Sequence, residues 1–158
     1  MNTNEQLIHD FYTAFQARDG KTMSAFYHEE AVFSDPVFGQ LHGREVGAMW
    51  HMLCARGHEL NISFSHIKAD EQKGSVHWEA WYIFSNTRRR VHNVIDAQFV
   101  FKDGRIIEHH DYFDFWRWAS MALGPTGLFL GWTPFVRSRV RKQSRNRLEA
   151  FMKNEAAT

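Results

Sequence analysis

The chain has 158 residues, 44% of them hydrophobic and 15% aromatic, which is enough for one domain with a sizeable core and too few for a second. Its net charge of +1 excludes a surface that is basic throughout, and the single cysteine, Cys54, excludes an internal disulfide and a thiolate-rich zinc site. No stretch approaches the roughly 18 apolar residues of a membrane span, and the N-terminus lacks a signal-peptide pattern. We therefore expect a cytoplasmic protein.

Three helices are predicted in the first third of the chain. In the first, apolar residues recur at helical spacing over residues 7–17. The second and third helices are predicted over residues 21–27 and 43–55. The stretch 31–39 between them is predicted to be extended and to break at Asp35-Pro36, because the residue before a proline disfavours helical geometry.

Strands are predicted in the middle of the chain. From Leu60 to Phe84 the apolar period changes to two, which is typical of strands in a half-covered sheet. Further strands are predicted over residues 90–101 and 105–116, joined by a hairpin at 102–104, where Lys-Asp-Gly favours a tight turn. Helices followed by antiparallel strands favour an α+β fold, with the N-terminal helices packed on the concave face of a curved sheet.

The last forty residues depart from this pattern. Residues 122–134 combine turn formers with large apolar groups, and an arginine-rich helix with an interrupted apolar stripe is predicted over 134–153. We therefore divide the chain into a domain over 1–120 and a C-terminal extension over 121–158. The helix can pack on the domain, on a second subunit or on an anionic surface. We expect packing, with no nucleic-acid and no membrane partner, because the small net charge disfavours polyanions.

Two stretches carry a resemblance to a known family. FYTAFQARDGKTMSAFYHEEAVFSDPVFG, residues 11–39, resembles the opening of ketosteroid isomerases, in which two helices lead to an Asp-Pro turn. VIDAQFVFKDGRII, residues 94–107, resembles the strand and hairpin that carry their second aspartate, and the ending EHHDYFDFW is closer to SnoaL-like proteins. The resemblance covers roughly residues 5–116 and implies the nuclear transport factor 2-like superfamily, whose cystatin-like sheet is cone-shaped.

The resemblance places two catalytic aspartates at Asp35 and Asp96. Asp35, at the mouth of an apolar pocket, is the candidate base that removes a proton next to a carbonyl group. Asp96, expected to be more deeply buried and protonated, is the candidate donor to the enolate oxygen. The family's oxyanion-hole tyrosine falls on Phe11, and Tyr12 is expected to point about 100° away around the helix. Alternatively, Asp35 caps the Asp-Pro turn, and Asp96 pairs with a histidine or arginine.

The two-residue period of a strand predicts which other residues near the two aspartates face the pocket. An inward Asp96 turns the residues two and four positions away on its strand inward as well. The family pattern turns alternate residues of the last strand inward, and the first helix closes the pocket. The predicted pocket-lining residues are Phe11, Phe15, His92, Gln98, His109, Asp111 and Phe113.

Neither a metal site nor a cofactor is predicted. His109, His110 and Asp111 are adjacent on one strand, so only His109 and Asp111 share a face, and two ligands do not make a site. The remaining histidines, among them His58, lack the spacing of metal ligands.

Two classes of function follow. The first is a cofactor-independent enzyme that transfers a proton on a small apolar carbonyl compound, as an isomerase or cyclase. An epoxide hydrolase is less favoured, because it requires an Asp-Arg-Asp arrangement that holds water. The alternative is a non-catalytic module for hydrophobic-ligand binding or dimerisation. A homodimer is expected because the sheet carries more aromatic surface than one cavity uses, namely Trp78, Trp81, Tyr82, Tyr112, Trp116 and Trp118.

Overall fold

A computed structural model describes residues 1–57 and 59–157, and these residues form an α+β fold around one six-stranded sheet. The helices are α1 (Thr3–Gln16), α2 (Gly20–Ala25), α3 (Arg44–Arg56), α4 (Phe115–Leu123), α5 (Pro125–Leu130) and α6 (Pro134–Ala156). The strands are β1 (Tyr27–Asp35), β2 (Gly39–His42), β3 (Asn61–Ala69), β4 (Lys73–Phe84), β5 (Arg89–Lys102) and β6 (Arg105–Tyr112).

The sheet is curved, unclosed and mixed, with the strand order β2-β1-β6-β5-β4-β3. The predicted antiparallel pairing holds from β3 to β6, and β1 adds a parallel pair with β6. A parallel pair is possible here because β1 and β6 are separated in the chain by α3 and four strands, which is a long enough connection. Asp103 and Gly104 both have positive φ, as a tight hairpin turn between β5 and β6 requires.

Helix α1 forms because its ends and its apolar face are both satisfied. The Asn2 side chain caps the backbone N–H of Glu5, and the Glu5 carboxylate accepts the Asn2 N–H in return. Ile8, Phe11 and Phe15 are buried in the main core, between the N-terminal helices and the sheet. The first helices therefore cover the concave face, as predicted.

The C-terminal extension packs on the domain in part. Leu148 and Phe151 of α6 join the main core, and Val136 and Val140 join a second core cluster with α4. Phe135, the first apolar residue of the predicted stripe, is 71% exposed. The division of the chain at residue 120 stays a prediction. None of the helices in the described ranges is long and apolar enough to cross a membrane.

Candidate functional site

A cavity of about 430 Å³ opens between the inner face of the sheet and helices α3 and α6. Its wall is mainly aromatic and aliphatic, contributed by residues such as Phe33, Trp50 and Trp78. This volume and this lining suit a small hydrophobic ligand held by a few polar groups. The polar side chains on the wall include Asp35, Arg56, Tyr82, Ser85, Asn93, Asp111, Ser144 and Arg147.

Asp35 ends β1 and both caps its turn and lines the cavity. Its Oδ1 accepts the backbone N–H groups of Val37 at 2.9 Å and Phe38 at 2.6 Å, which is the predicted alternative role at the Asp-Pro turn. Burial raises the pKa of Asp35 to about 7, against the lowering effect of the Phe38 hydrogen bond and with a further increase from the negative charge of Asp111. Asp35 can therefore exchange a proton near neutral pH.

Asp111 lies on the inner face of β6, as predicted, and is only 4% exposed. Its Oδ1 lies 2.9 Å from His109 Nε2 and accepts a hydrogen bond from Trp78 Nε1 at 3.3 Å. Its Oδ2 forms no hydrogen bond with any residue that the structure describes. Two hydrogen bonds thus fix the position of a carboxyl group on an otherwise apolar wall.

A buried hydrogen-bonded chain continues from His109 to helix α3. His109 Nδ1 lies 2.6 Å from the Tyr27 hydroxyl, which accepts a hydrogen bond from Trp50 Nε1 at 2.7 Å. The Tyr27 O–H can then donate to Nδ1, which leaves the proton of a neutral imidazole on Nε2, where it donates to Asp111. This arrangement pairs the Trp50 N–H group, the Tyr27 hydroxyl and both ring nitrogens of His109, as buried polar groups require.

Tyr82 and Asn93 offer hydrogen bonds to a ligand. The Tyr82 hydroxyl accepts from Trp118 Nε1 at 2.7 Å and keeps its own hydrogen for another acceptor. Burial raises the pKa of Tyr82 to about 12, so the group stays a neutral donor. The side-chain amide of Asn93, a residue only 8% exposed, forms no hydrogen bond with any part of the chain that the structure describes.

The predicted orientation of β5 is wrong by one residue. The side chain of Asp96 is 72% exposed on the outer face, where its Oδ1 lies 2.9 Å from Nδ1 of its cross-strand partner His77. His92 and Gln98 lie on the same outer face, and His92 bonds to Glu79. The buried set is instead the one with more apolar members, Val91, Asn93, Ile95, Ala97, Phe99 and Phe101.

The other predicted pocket residues lie on the inner side. Phe15, Asp111 and Phe113 line the cavity. Phe11 and His109 are fully buried behind its wall, where Phe11 packs edge-on against Trp50 and His109 stacks on Trp50. Asp35 therefore shares the cavity with Asp111 rather than with Asp96.

Tyr12 does not supply a donor to the cavity, although its side chain is buried. It is fully buried against Phe64 of β3 and Trp78 of β4, because this side of α1 packs on the sheet. Its hydroxyl has no hydrogen-bond partner among residues 1–57 and 59–157, and burial raises the pKa of Tyr12 well above its usual value. It is not among the residues that line the cavity.

The aromatic residues assigned to a dimer surface divide into two groups. Trp78, Tyr82 and Trp118 line the cavity. The remaining three, Trp81, Tyr112 and Trp116, are between 39% and 58% exposed. Tyr82 is thus a site residue that we had assigned to the dimer surface. Its position four residues after Trp78 on β4 indicates that the two side chains share a face of the sheet.

Within the described ranges, no group of three or more His, Cys, Asp or Glu residues could hold a metal ion. His109 and Asp111, the two candidates that share a face, are bonded to each other. His58 lies outside the described residues.

The sheet, its covering helices and this cavity define a cone-shaped α+β ligand-binding fold. A family model of the SnoaL-like domain matches residues 8–109, more than half of the chain, so the chain belongs to the SnoaL-like domain family. The match includes Asp35, Tyr82 and Asn93 and ends two residues before Asp111. No curated protein sequence matches the chain.

Solved structures support the same fold. A hypothetical protein of Catenulispora acidiphila with a ketosteroid isomerase-like fold, in complex with trimethylamine, has a TM-score of 0.65 at 11% identity, over 81% of this chain and 97% of that chain. An LEH-like epoxide hydrolase of M. tuberculosis has a TM-score of 0.62 at 22% identity, over 80% and 92%. The epoxide hydrolase/cyclase-like enzyme SalBIII, which acts in pyran ring formation in the polyether salinomycin, has a TM-score of 0.60 at 18% identity, over 69% and 88%. At these identities the similarity concerns the fold alone.

Proposed function

We propose that this chain is a cofactor-independent enzyme that transfers a proton on a small apolar carbonyl compound bound in the cavity. The observation that carries the proposal is Asp35, a carboxyl group on an apolar cavity wall with a pKa raised by burial to about 7. Its Oδ1 is held by two backbone N–H groups, which leaves Oδ2 to act on the substrate. A base of this pKa is matched to proton transfer at neutral pH.

The Tyr82 hydroxyl and the Asn93 amide are the proposed donors to the substrate oxygen. Both lie on the cavity wall, on adjacent strands, and both have a hydrogen left for a ligand. Donors of this kind stabilise the negative charge that develops on an enolate oxygen. They take the place of Phe11 and of the outward-facing Asp96, neither of which can reach the cavity.

Asp111 is proposed to tune the base. Its negative charge disfavours ionisation of Asp35, and its position is fixed by Trp78 and His109. An epoxide hydrolase would need an arginine between two acidic groups. The arginines that line the cavity, Arg56 and Arg147, come from helices α3 and α6 rather than from the strands of the two aspartates. Isomerase or cyclase chemistry is therefore the better supported class.

A cytoplasmic homodimer remains part of the proposal. The outer face of the sheet exposes Trp81 and Tyr112 beside a network of paired histidine and acidic side chains, among them His77 and Asp96. A second copy could cover this face through an isologous contact. Its aromatic area is smaller than the sequence suggested, because three of the six expected aromatic residues face the cavity.

The test is hydrogen–deuterium exchange at carbons next to carbonyl groups, followed by NMR in D₂O with a panel of cyclic ketones and enones. This assay needs no known product. We expect exchange with at least one compound and a loss of about 100-fold or more in Asp35→Asn, which keeps Oδ1 to cap the turn. Asp96→Asn is the matched control and should retain its activity, because that side chain lies on the outer face.

Ligand binding separates the enzyme from the alternative function. Trp50, Trp78 and Trp118 line the cavity, so ligand binding should change tryptophan fluorescence. A compound that binds the native protein and Asp35→Asn equally, without exchange in either, would identify a non-catalytic binding module. Exchange that is unchanged in Asp35→Asn would exclude Asp35 as the base.

A further inference from the structure

The turn from α5 into α6 exposes a group of large apolar side chains that is separate from the cavity. Phe129, Trp132 and Phe135 are each 71% exposed, and Leu128 and Leu130 are 47% and 49% exposed. Trp116 of α4 adjoins them, since its Nε1 donates to the Leu128 carbonyl. We call these six residues the α5 tip. Exposed apolar groups this concentrated usually mark an interaction surface.

The packing of Gly127 against α4 keeps the α5 tip exposed. Gly127 is pressed against α4 so closely that a Cβ at that position would lie 1.8 Å from the Ala119 carbonyl oxygen. This contact fixes one side of the short helix α5 on the domain. The side chains on its other side, Phe129 above all, are thereby directed to solvent rather than folded into the core.

The indole groups of the tip are already satisfied. Trp116 Nε1 donates to the Leu128 carbonyl and Trp132 Nε1 donates to the Phe129 carbonyl, both at 3.0 Å. The two rings can therefore enter an apolar medium without leaving an unpaired N–H group there.

The chain segment that contains the tip is strongly basic, although two of its arginines are engaged elsewhere, Arg145 with Glu45 and Arg147 on the cavity wall. Residues 115–148 contain no Asp or Glu and carry a charge of +7 from Arg117, Arg137, Arg139, Arg141, Lys142, Arg145 and Arg147. The rest of the chain then carries −6, since the total is +1. Arg117, Arg137 and Arg139 are exposed, and Arg137 lies over the ring of Phe115, next to Trp116.

We propose that the α5 tip docks this protein on the surface of an anionic lipid bilayer. Its aromatic and aliphatic side chains lie at the boundary between headgroups and acyl chains, and the neighbouring arginines face the lipid phosphates. A second copy of the chain fits this surface less well, because an isologous contact would bring the exposed Arg117, Arg137 and Arg139 of two copies together. The proposal goes beyond the cavity chemistry and does not depend on it.

The structure revises the expectation that the C-terminal segment only packs on the domain. Val140, Leu148 and Phe151 pack as expected, whereas Phe135 and the large apolar side chains of α5 are exposed. The net charge of +1 does not reveal the basic segment, because acidic residues elsewhere in the chain balance its positive charge.

The test is co-sedimentation of the full chain with vesicles of phosphatidylcholine alone or with about 30% phosphatidylserine. We expect binding to the anionic vesicles only. The triple variant Phe129→Ser, Trp132→Ser, Phe135→Ser should bind them at least about tenfold more weakly, since the lost area is apolar. Arg139→Gln with Lys142→Gln should weaken binding at low salt, while the matched pair Lys68→Gln with Lys102→Gln, outside the segment, should not.

Thermal unfolding and sedimentation velocity are the two controls for this test. The triple variant alters only exposed side chains, so its thermal unfolding should match that of the native protein, and a fold defect is thereby detected separately. Equal binding to neutral and anionic vesicles, or native binding by the triple variant, would overturn the proposal. Sedimentation velocity that shows a dimer abolished by the triple variant, with no vesicle binding, would assign the tip to a second copy instead.

Discussion

His109 Nε2 lies 2.9 Å from Asp111 Oδ1, and the two side chains share the inner face of β6 with one residue between them. The other ring nitrogen lies 2.6 Å from the Tyr27 hydroxyl, so the imidazole connects the cavity wall to the core beneath α3. Because His109 is fully buried, each of these hydrogen bonds replaces one to water, and the loss of either leaves a polar atom unpaired.

Tyr27→Phe should lower the free energy of unfolding by about 2–4 kcal/mol. The substitution removes one oxygen but leaves both Trp50 Nε1 and His109 Nδ1 buried without a partner. Urea unfolding at neutral pH measures the effect. Tyr112→Phe, at a residue 58% exposed, is the control and should change stability by less than about 0.5 kcal/mol. Equal effects of the two variants would show that the buried chain is not stabilising.

The stability of the protein should depend on the ionisation of Asp35. Its pKa rises from 3.8 in the unfolded chain to about 7 in the folded protein, so the folded state binds the proton more tightly. The stability that the protonated Asp35 contributes to the folded protein is fully present below about pH 4 and is lost as the pH rises through about 7. Asp35→Asn, which cannot ionise, should therefore gain stability relative to the native protein between pH 5 and 8, on the order of 4 kcal/mol at most. A stability difference between the native protein and the variant that stays the same from pH 5 to pH 8 would contradict this prediction.

Asn93→Ala should separate function from stability. The Asn93 amide bonds to no described residue, so its removal should alter unfolding by less than about 1 kcal/mol. If the amide stabilises an enolate oxygen, the exchange rate should fall by about 10- to 1000-fold. Asn61→Ala, at an exposed position of β3, is the control for both measurements. A stability loss without an exchange defect would reassign Asn93 to the core.

Gly127→Ala should detach α5 from α4. The added Cβ would lie 1.8 Å from the Ala119 carbonyl oxygen, which is backbone and can yield only if a helix moves. We expect a loss of about 2 kcal/mol or more in unfolding free energy, together with weaker vesicle binding, because the tip is no longer held outward. Thr126→Ala, at the exposed neighbouring position, should leave both quantities unchanged. Native stability of Gly127→Ala would contradict the described contact.

On β5 the alternation of apolar residues indicates the buried face correctly, whereas the family resemblance does not. Period two divides residues 91–101 into two sets, and the odd-numbered set contains five apolar residues and Asn93. That count favoured the observed orientation. The resemblance of residues 94–107 to the family's aspartate strand suggested the opposite one, and a shift of one residue exchanges the two faces. The family pattern turned His109, Asp111 and Phe113 inward, as observed, but only Asp111 and Phe113 line the cavity, and Phe113 follows the end of β6.

Local preferences in the sequence predicted helices α1 to α3 and α6, strands β3 to β6 and the Asp-Pro and Asp-Gly turns. They did not predict β2, α4 or α5, and the strand predicted to residue 116 ends at Tyr112. Helical spacing, the Asp-Pro break and the Asp-Gly hairpin act within a few residues of the chain, and they appear where they were predicted. Which polar groups meet depends on how distant parts of the chain pack together. Asp35 and Asp111 share a cavity because β1 pairs with β6, while Phe135 and Trp132 remain exposed because Gly127 anchors α5 on α4. Such pairings join residues far apart in the chain, so they depend on packing that no local pattern specifies.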